Sequence, residues 1–350
     1  MQFIKPDVNI DFIGRRKIAF SLSGAMIIIS IISLILHGGP KLGVDFQGGT
    51  LIQVKFLTPV KIEDIKSGMK DVGINNASVQ RFGEKNAHEY LVRTDSSLMT
   101  TENSSAEMKK ALDAETGGQA EIQRVEMVGP KVGQDLREKA LFAMFYALLF
   151  ITIYISGRFE FKWVLSGIMT AALIGAVYVF TLFKVSIPFL IIAALIVSLV
   201  LFWFLELKYA MGAIVALIHD VTITVGVFSI FGKEFTLAII AALLTIIGYS
   251  LNDTIIVFDR IRENLRRYHK NPMDIILNRS INETLSRTTL TSLTTLIVVV
   301  ALFVLGGGII HDFAFALLVG IVVGTYSSIF VASPILLAWQ TKQSKSKAKS

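Results

Sequence analysis

The chain has no cysteine. That excludes a disulfide framework, a thiol nucleophile and any cysteine-ligated metal centre. Charge is scarce as well, at 17% of 350 residues, against about 25% in a soluble chain. No Gly-x4-Gly-Lys-Ser/Thr phosphate loop, His-Glu-x-x-His zinc helix or Gly-x-Ser-x-Gly nucleophile turn is present, so the sequence has no sign of an ATPase, a metalloenzyme or a serine hydrolase. What fills the chain instead is apolar: 53% of residues, gathered in long uncharged runs. That is the composition of an integral membrane protein. It excludes a cytosolic enzyme, a disordered regulator and a nucleic-acid reader.

The runs are Ile18 to Leu36, Ala140 to Gly157, Trp163 to Phe183, Val185 to Leu205, Tyr209 to Gly232 (apolar except for His219 and Asp220), Phe235 to Phe258 (apolar except for Asp253), Thr288 to Ile310 and Phe313 to Gln340. Each can cross a hydrocarbon core of about 30 Å at about 1.5 Å per residue, which predicts eight transmembrane helices. The last is expected to end near Pro334, which lacks a backbone donor. The net charge of +7 is placed unevenly. Lys5, Arg15, Arg16 and Lys17 precede the first run. Arg260, Arg262, Arg266, Arg267, Lys270, Arg279 and Arg287 lie in the loop expected between the sixth and seventh spans, and Lys342, Lys345, Lys347 and Lys349 in the tail. With an even number of spans these share one side, which the positive-inside rule makes cytoplasmic. Lipid headgroups are a secondary reading of the same charge. The first run, 19 residues long with no small-x-small site after it, reads as an anchor rather than a cleaved signal.

Residues 38–137 form a hydrophilic stretch with 13 basic and 14 acidic residues. Strand patterns at Gly49 to Phe56, Ala77 to Phe82, His88 to Thr94 and Glu121 to Val128 alternate with helical patterns at Lys61 to Val72 and Glu102 to Glu115. The order β-α-β-β-α-β predicts a small α+β, ferredoxin-like domain outside the cytoplasm.

Two membrane carboxylates stand out. Asp220 is near the centre of its run, where an ionised group costs about 2.5–3.5 kcal/mol or more. Gly212, Ala216, Asp220 and Thr224 share a helix face, and small residues there allow close packing. Burial in hydrocarbon disfavours charge, so Asp220 is a candidate proton carrier; a structural hydrogen bond that never releases its proton is the other reading. Asp253 is about 10 Å off the middle of its run, on a face with Ile256, Val257 and Arg260. Asn252 and Thr254 flank it, and Gly248 is expected to permit tight packing. A relay between Asp253 and Arg260 and a packing cluster are both open. His219 points about 100° from Asp220 on a helical wheel, so it is either an interior histidine or a relay member. Gly320 and Gly324 read as a helix-packing pair, and Gly306, Gly307 and Gly308 as a turn. Asp45, Phe46, Gly48 and Gly49 read as a tight entry into a strand.

Asp45-Phe46-Gln47-Gly48-Gly49, Val128-Gly129-Pro130-Lys131-Val132-Gly133, Arg158-Phe159-Glu160, Ala216-Leu217-Ile218-His219-Asp220-Val221 and the run from Gly248-Tyr249-Ser250-Leu251-Asn252-Asp253-Thr254 through Asp259-Arg260-Ile261-Arg262-Glu263-Asn264 resemble the SecF branch of the SecD/SecF family. The resemblance covers nearly the whole chain. It implies a polytopic α-helical bundle of the RND type and a non-enzymatic subunit of the bacterial Sec protein translocase in the cell inner membrane. It further implies that, with SecD, the subunit uses the proton motive force to help export unfolded secretory polypeptides through SecYEG after SecA has driven them, with YajC as a further partner. No cofactor or metal is implied beyond the proton gradient, and no nucleic acid. Asp220, Asp253, Arg260 and His219 are the proton-coupling residues on this reading. Asp45, Phe46, Gly48, Gly49, Gly248 and Asn252 belong to the family motifs. The alternatives are a proton-driven RND-type exporter of small molecules and a passive scaffold.

The expected plan is residues 1–37 as cytoplasmic N-terminus and first span, 38–137 as the periplasmic domain, 138–340 as seven further spans and 341–350 as a basic cytoplasmic tail. One departure concerns residues 163–205. The family places Arg-Phe-Glu almost directly before the span carrying His-Asp, whereas here about 46 residues intervene. They read as an inserted hairpin. Its edges echo each other: Phe159-Glu-Phe-Lys-Trp-Val-Leu-Ser-Gly-Ile168 aligns with Leu205-Glu-Leu-Lys-Tyr-Ala-Met-Gly-Ala-Ile214, as duplication of a turn and a span would produce.

Overall fold

The computed structural model describes residues 8–74, 77–82, 88–94, 102–117 and 119–339; Lys5 and the tail lysines Lys342, Lys345, Lys347 and Lys349 lie outside them. The elements run α1 (Arg16–Leu36), α2 (Val44–Gln47), β1 (Gly49–Phe56), α3 (Ile62–Asp71), β2 (Ser78–Phe82), β3 (Glu89–Thr94), α4 (Glu102–Thr116) and β4 (Ala120–Val128), then α5 (Pro130–Glu160), α6 (Trp163–Leu182), α7 (Ile187–Phe204), α8 (Lys208–Ile230), α9 (Leu237–Arg267), α10 (Met273–Leu305) and α11 (Gly308–Ser327).

The four strands form one sheet in the order β2-β3-β1-β4, and every neighbouring pair is antiparallel. This is the split β-α-β arrangement. Alternation along β1 puts Ile52, Val54 and Phe56 on one face, where they meet Ile65 and Met69 of α3 and Met108 and Leu112 of α4 in a closed apolar core. The other face carries Leu51, Gln53 and Lys55. It leans toward the ends of the membrane helices.

Among the described residues, eight helices are long and apolar enough to cross a membrane. They are α1 and α5 to α11, the last traced as Ile310–Trp339. Pro130 opens α5 at a position where its missing N–H is no loss. Two expectations are corrected. Pro334 does not end the last helix. A π-helical turn at Ser328–Ala332 precedes it, and the chain stays helical to Trp339; the wider turn relieves the ladder that a proline would otherwise break. The basic stretch between the sixth and seventh spans is not a loop. α9 and α10 have 31 and 33 residues, about 45–50 Å each, so both run past the hydrocarbon and carry Arg260, Arg262, Arg266, Arg267, Arg279 and Arg287 on helix.

α8 is the central helix. It packs against α1, α5, α7, α9 and α11, and Gly212, Ala216 and Asp220 on its predicted face are all buried. Gly320 and Gly324 of α11 lie over Ile246 and Ser250 of α9, so close that a Cβ at either position would collide with them. Gly248 behaves otherwise. It is exposed, and a Cβ on it would meet nothing within 4 Å, so it makes no tight contact among the described residues. Its face is shared by the exposed Thr245 and Asn252.

Candidate functional site

Asp220 is fully buried, with 0% exposure. In hydrocarbon every polar atom needs a partner from the protein, and both carboxyl oxygens have one. Oδ1 is 2.8 Å from Nδ1 of His219. Oδ2 accepts from Ser250 Oγ of α9 at 2.6 Å and from Ser327 Oγ of α11 at 2.8 Å. Thr224 Oγ1 donates to the Asp220 carbonyl at 2.8 Å.

The network continues through the imidazole. His219 Nε2 is 3.1 Å from Ser23 Oγ on α1. Ser23 Oγ is 3.1 Å from the Tyr326 hydroxyl, which donates to the Ala19 carbonyl at 2.7 Å. One carboxyl group thus joins α1, α8, α9 and α11. The 100° offset on a helical wheel did not keep His219 away, because adjacent side chains bend toward each other once both are enclosed.

Asp253 is 1% exposed and less well served. Ser292 Oγ of α10 donates to Oδ2 at 3.4 Å, a long contact. Ser292 also meets Thr325 Oγ1 at 2.7 Å, and Thr325 gives its own proton to the Ile321 carbonyl. Ser292 therefore has one proton for two acceptors. Oδ1 of Asp253 and Oγ1 of Thr288 are both buried without a hydrogen-bond partner.

Arg260 does not pair with Asp253. Its guanidinium lies 3.0 Å from Glu263 and 3.8 Å from Glu283 of α10. Glu283 also binds Arg279 at 2.8 Å and accepts from Asn264 at 2.8 Å. Seven residues of helix, about 10 Å, separate Arg260 from the acid, and the side chain turns toward the α9–α10 junction. Asn252 is exposed beside Asp253.

The motif around Asp45 joins the domain to the bundle. Asp45 Oδ2 accepts from the Leu237 N–H at 2.8 Å, capping the first turn of α9 from another part of the chain. Phe46 enters an apolar cluster with Phe228, Phe235, Ile239, Leu243 and Ala314 at the same end of the bundle. Gly48 has φ +79, and a Cβ on it would lie 2.8 Å from Pro130 Cα. A Cβ on Gly133 would in turn lie 2.9 Å from Gly48 N. Two sequence motifs that stood far apart are one contact.

Residues 163–205 form two helices beside α5 and α8. Lys162 Nζ donates to the Leu205 carbonyl at 2.6 Å, and Trp203 meets Trp339 with ring centres 4.6 Å apart. Shifted by the 46-residue echo, Leu173 and Ile174 stand where His219 and Asp220 stand in α8. The outer face is apolar throughout Val164, Ile168, Phe189, Ile192 and Ile196.

Sequence reasoning missed Ser23, Ser292 and Ser327 and the aromatic hydroxyl of Tyr326. A signal existed on α1: Ala19, Ser23, Ser30 and Ser33 are its buried residues and form a small, hydroxyl-bearing stripe in an otherwise Ile- and Leu-rich helix.

A polytopic helical bundle whose central helix carries a carboxyl group shared by four spans, with an α+β domain plugged into one end, defines a membrane protein of the transport class. Comparison with known proteins narrows the class. The family model described as "Protein export membrane protein SecD/SecF, C-terminal" matches residues 108–197 and 169–342, and that of the "SecD/SecF GG Motif" matches 33–60. The two longer matches overlap over 169–197, within the α6–α7 pair. A protein translocase subunit SecF of Calditerrivibrio nitroreducens is 40% identical over 96% of this chain and 96% of its own length. One of Magnetococcus marinus is 42% identical over 96% of this chain and 94% of its own. The crystal structure of SecDF from Thermus thermophilus matches with a TM-score of 0.74 and 31% identity, covering 97% of this chain and 40% of that longer one. The chain belongs to the SecF family of protein translocase subunits, which are membrane proteins and not enzymes. Among the described residues no group of three or more His, Asp or Glu could hold a metal ion.

Proposed function

We propose that this chain is the SecF half of a proton-driven export motor in the cell inner (plasma) membrane. It works with SecD beside SecYEG on unfolded secretory polypeptides that SecA has set moving, with YajC as a further associate. The Arg-rich ends of α9 and α10 and the start of α1 lie at the end of the bundle opposite the domain. The positive-inside rule makes that end cytoplasmic and the domain periplasmic. The family and its SecDF structures support SecD as the partner. Asp220 and His219 form the central proton site, Asp253 a second one, and Arg260 steadies the α9–α10 junction below it.

The observation that carries this reading is the direction of the hydrogen bonds around Asp220. Tyr326 has one hydroxyl proton, and the Ala19 carbonyl takes it. Ser23 must then donate to Tyr326, and His219 must donate its Nε2–H to Ser23. A neutral His219 so placed has no proton on Nδ1. The 2.8 Å contact with Asp220 is attractive only when a further proton lies between the two, on the carboxyl group or, as an ion pair, on the ring. Loss of that proton sets lone pairs against each other. The contact is kept if the shared proton stays on Nδ1, facing the Asp220 carboxylate, and the Nε2 proton is the one that leaves: Ser23 then donates to Nε2, Tyr326 donates to Ser23, and the Ala19 carbonyl is released. Proton exchange at the bilayer centre thereby changes the contact between α1 and α11. One charge crossing 100 mV supplies about 2.3 kcal/mol, enough to change a two-state ratio about 50-fold.

Asp253 supports the same reading from the other side. Its unpartnered oxygen can take a proton, beside a helix face that nothing among the described residues covers. The α6–α7 pair has no acid at the positions equivalent to Asp220, so it is a duplicated hairpin that packs and carries no protons. Asp220→Asn, co-expressed with SecD, tests the proposal. Asn keeps the shape and the serine contacts but cannot exchange a proton. We expect the complex to assemble and proton-driven export to stop. Full export would leave Asp220 as a packing residue and the chain as a passive scaffold.

A further inference from the structure

The turn between α8 and α9 joins the helix of Asp220 to the helix of Asp253, and the outer domain holds that turn. Gly43 N donates to the Phe235 carbonyl at 2.6 Å, and Phe235 N donates to the Lys41 carbonyl at 2.7 Å. These bonds make Leu42 and Phe235 a parallel β-bridge. Glu234 is mostly buried and is clasped from two sides. Arg93, on the central strand β3, pairs with it, and Lys41 lies 3.3 Å away. Arg93 also donates to the Leu42 carbonyl at 3.2 Å. Gln80 of β2 reaches Glu234 at 3.5 Å.

Beyond this clasp and the adjoining contacts of Asp45 and Phe46 with the bundle, the sheet stands off the helix ends. A cavity of 740 Å³ separates the outer face of the sheet, at Leu51, Leu91 and Arg124, from Phe231, Phe303 and His311 at the helix ends. The domain has covalent links to α1 and α5. Neither of these carries an acid within its apolar run, Ile18 to Leu36 or Ala140 to Gly157.

We infer that Glu234, held by Arg93 and Lys41, is the positioning residue through which movement of α8 and α9 reaches the outer domain. The clasp stays closed during the cycle. The domain tilts with the α8–α9 turn into and out of the cavity, while α1 and α5 serve as tethers. The inference rests on the proton-driven reading above but concerns a different step, transmission rather than proton binding.

The absence of cysteine makes the test direct. Lys41 and Glu234 are register neighbours of the Leu42–Phe235 bridge, at about the 4.8 Å spacing of paired strands, which a disulfide can span. The double variant Lys41→Cys/Glu234→Cys is placed with SecD in energised vesicles that contain the channel. Export and proton uptake are both read. When reduced, the variant lacks the clasp: export should fall at least tenfold while proton uptake persists, an uncoupled leak that a merely misfolded bundle does not show. When oxidised, the covalent clasp should restore export to within twofold of the parent.

Full export in the reduced form overturns the inference, because transmission then bypasses Glu234. So does continued loss of export after oxidation, because the clasp must then open. Loss of proton uptake together with export also overturns it, since Glu234 would then support the proton path itself. Should the double variant not assemble, the exchange Arg93→Glu/Glu234→Arg is compared with Glu234→Arg alone. Rescue of export by the exchange is expected, and no rescue has the same overturning force. A parent protein that takes up no protons refutes the proton-driven reading separately.

Discussion

Tyr326→Phe removes one oxygen from the centre of the bundle and nothing else. The ring keeps its place between His219 and Phe330, with centroids 6.1 and 5.1 Å away. Two hydrogen bonds are lost: the donation to the Ala19 carbonyl at 2.7 Å and the acceptance from Ser23 at 3.1 Å. Hydrogen bonds between membrane helices average about 0.6 kcal/mol and reach about 1.7, so the variant should lose about 1–2 kcal/mol, a 5- to 30-fold change in the unfolding ratio. Ser23→Ala removes the same link from the other side. Because Ser23 and Tyr326 are members of one chain, the double variant should cost less than the sum of the singles, with a coupling of about 0.5–1.5 kcal/mol. Equilibrium unfolding in mixed micelles measures all three. Export should fall in both single variants, because the Ala19 contact no longer reports on the proton. Strict additivity, or a stable Tyr326→Phe variant with full export, would refute the ordered chain on which the mechanism depends.

Two further predictions concern the junction of domain and bundle. Gly48→Ala places a Cβ against the Pro130 backbone at a φ of +79 and ψ of 177, a region nearly closed to other residues. It should cost about 2–5 kcal/mol, strain and collision together, and should show as loss of folded protein in the membrane; normal accumulation and melting would contradict the close approach. Asp45→Ala should cost about 0.5–2 kcal/mol by uncapping α9, while Asp45→Asn should lose much less. Hydrogen exchange at the Leu237 amide distinguishes them, and equal protection in both would deny the cap.

The small α+β domain and the number of spans were legible because both depend on local patterns. β1 was read as Gly49 to Phe56 and has those bounds, since alternation of Ile52, Val54 and Phe56 needs no knowledge of what covers them. The eight apolar runs likewise correspond to eight helices, because hydrocarbon thickness sets their length. Helix ends were less legible. Charge was taken to stop α9 and α10, yet outside the hydrocarbon an Arg-rich segment is a good helix former and continues. Pro334 was taken as a stop, yet a π-turn five residues long absorbs it.

The site was half legible. A carboxylate in a membrane run is conspicuous by its cost, so Asp220 and Asp253 were found without a structure. Arg260 was placed near Asp253 on a helical wheel, but a wheel shows only one helix, and Glu283 comes from the next. Gly248 was assigned a packing contact that is not found among the described residues. The serines were invisible for a related reason: a hydroxyl group costs little in a membrane helix when it bonds back along its own backbone, as Ser166 does to Lys162 at 2.8 Å. Nothing local distinguishes Ser166 from Ser250 or Ser327.

The amino-acid sequence by itself determined that the chain crosses a membrane, where in the chain its α+β domain falls, and which two carboxyl groups lie in the apolar runs, since each follows from transfer energies of residues taken singly or in short runs. Only the tertiary structure decided that the hydrogen-bond network of Asp220 reaches helices α1, α9 and α11, that Asp45 caps a helix 192 residues away, and that Arg93 and Lys41 close on Glu234. These are pairings between distant segments. Their partners are selected when the whole bundle packs, because a buried polar atom is stable only where another segment brings it a partner.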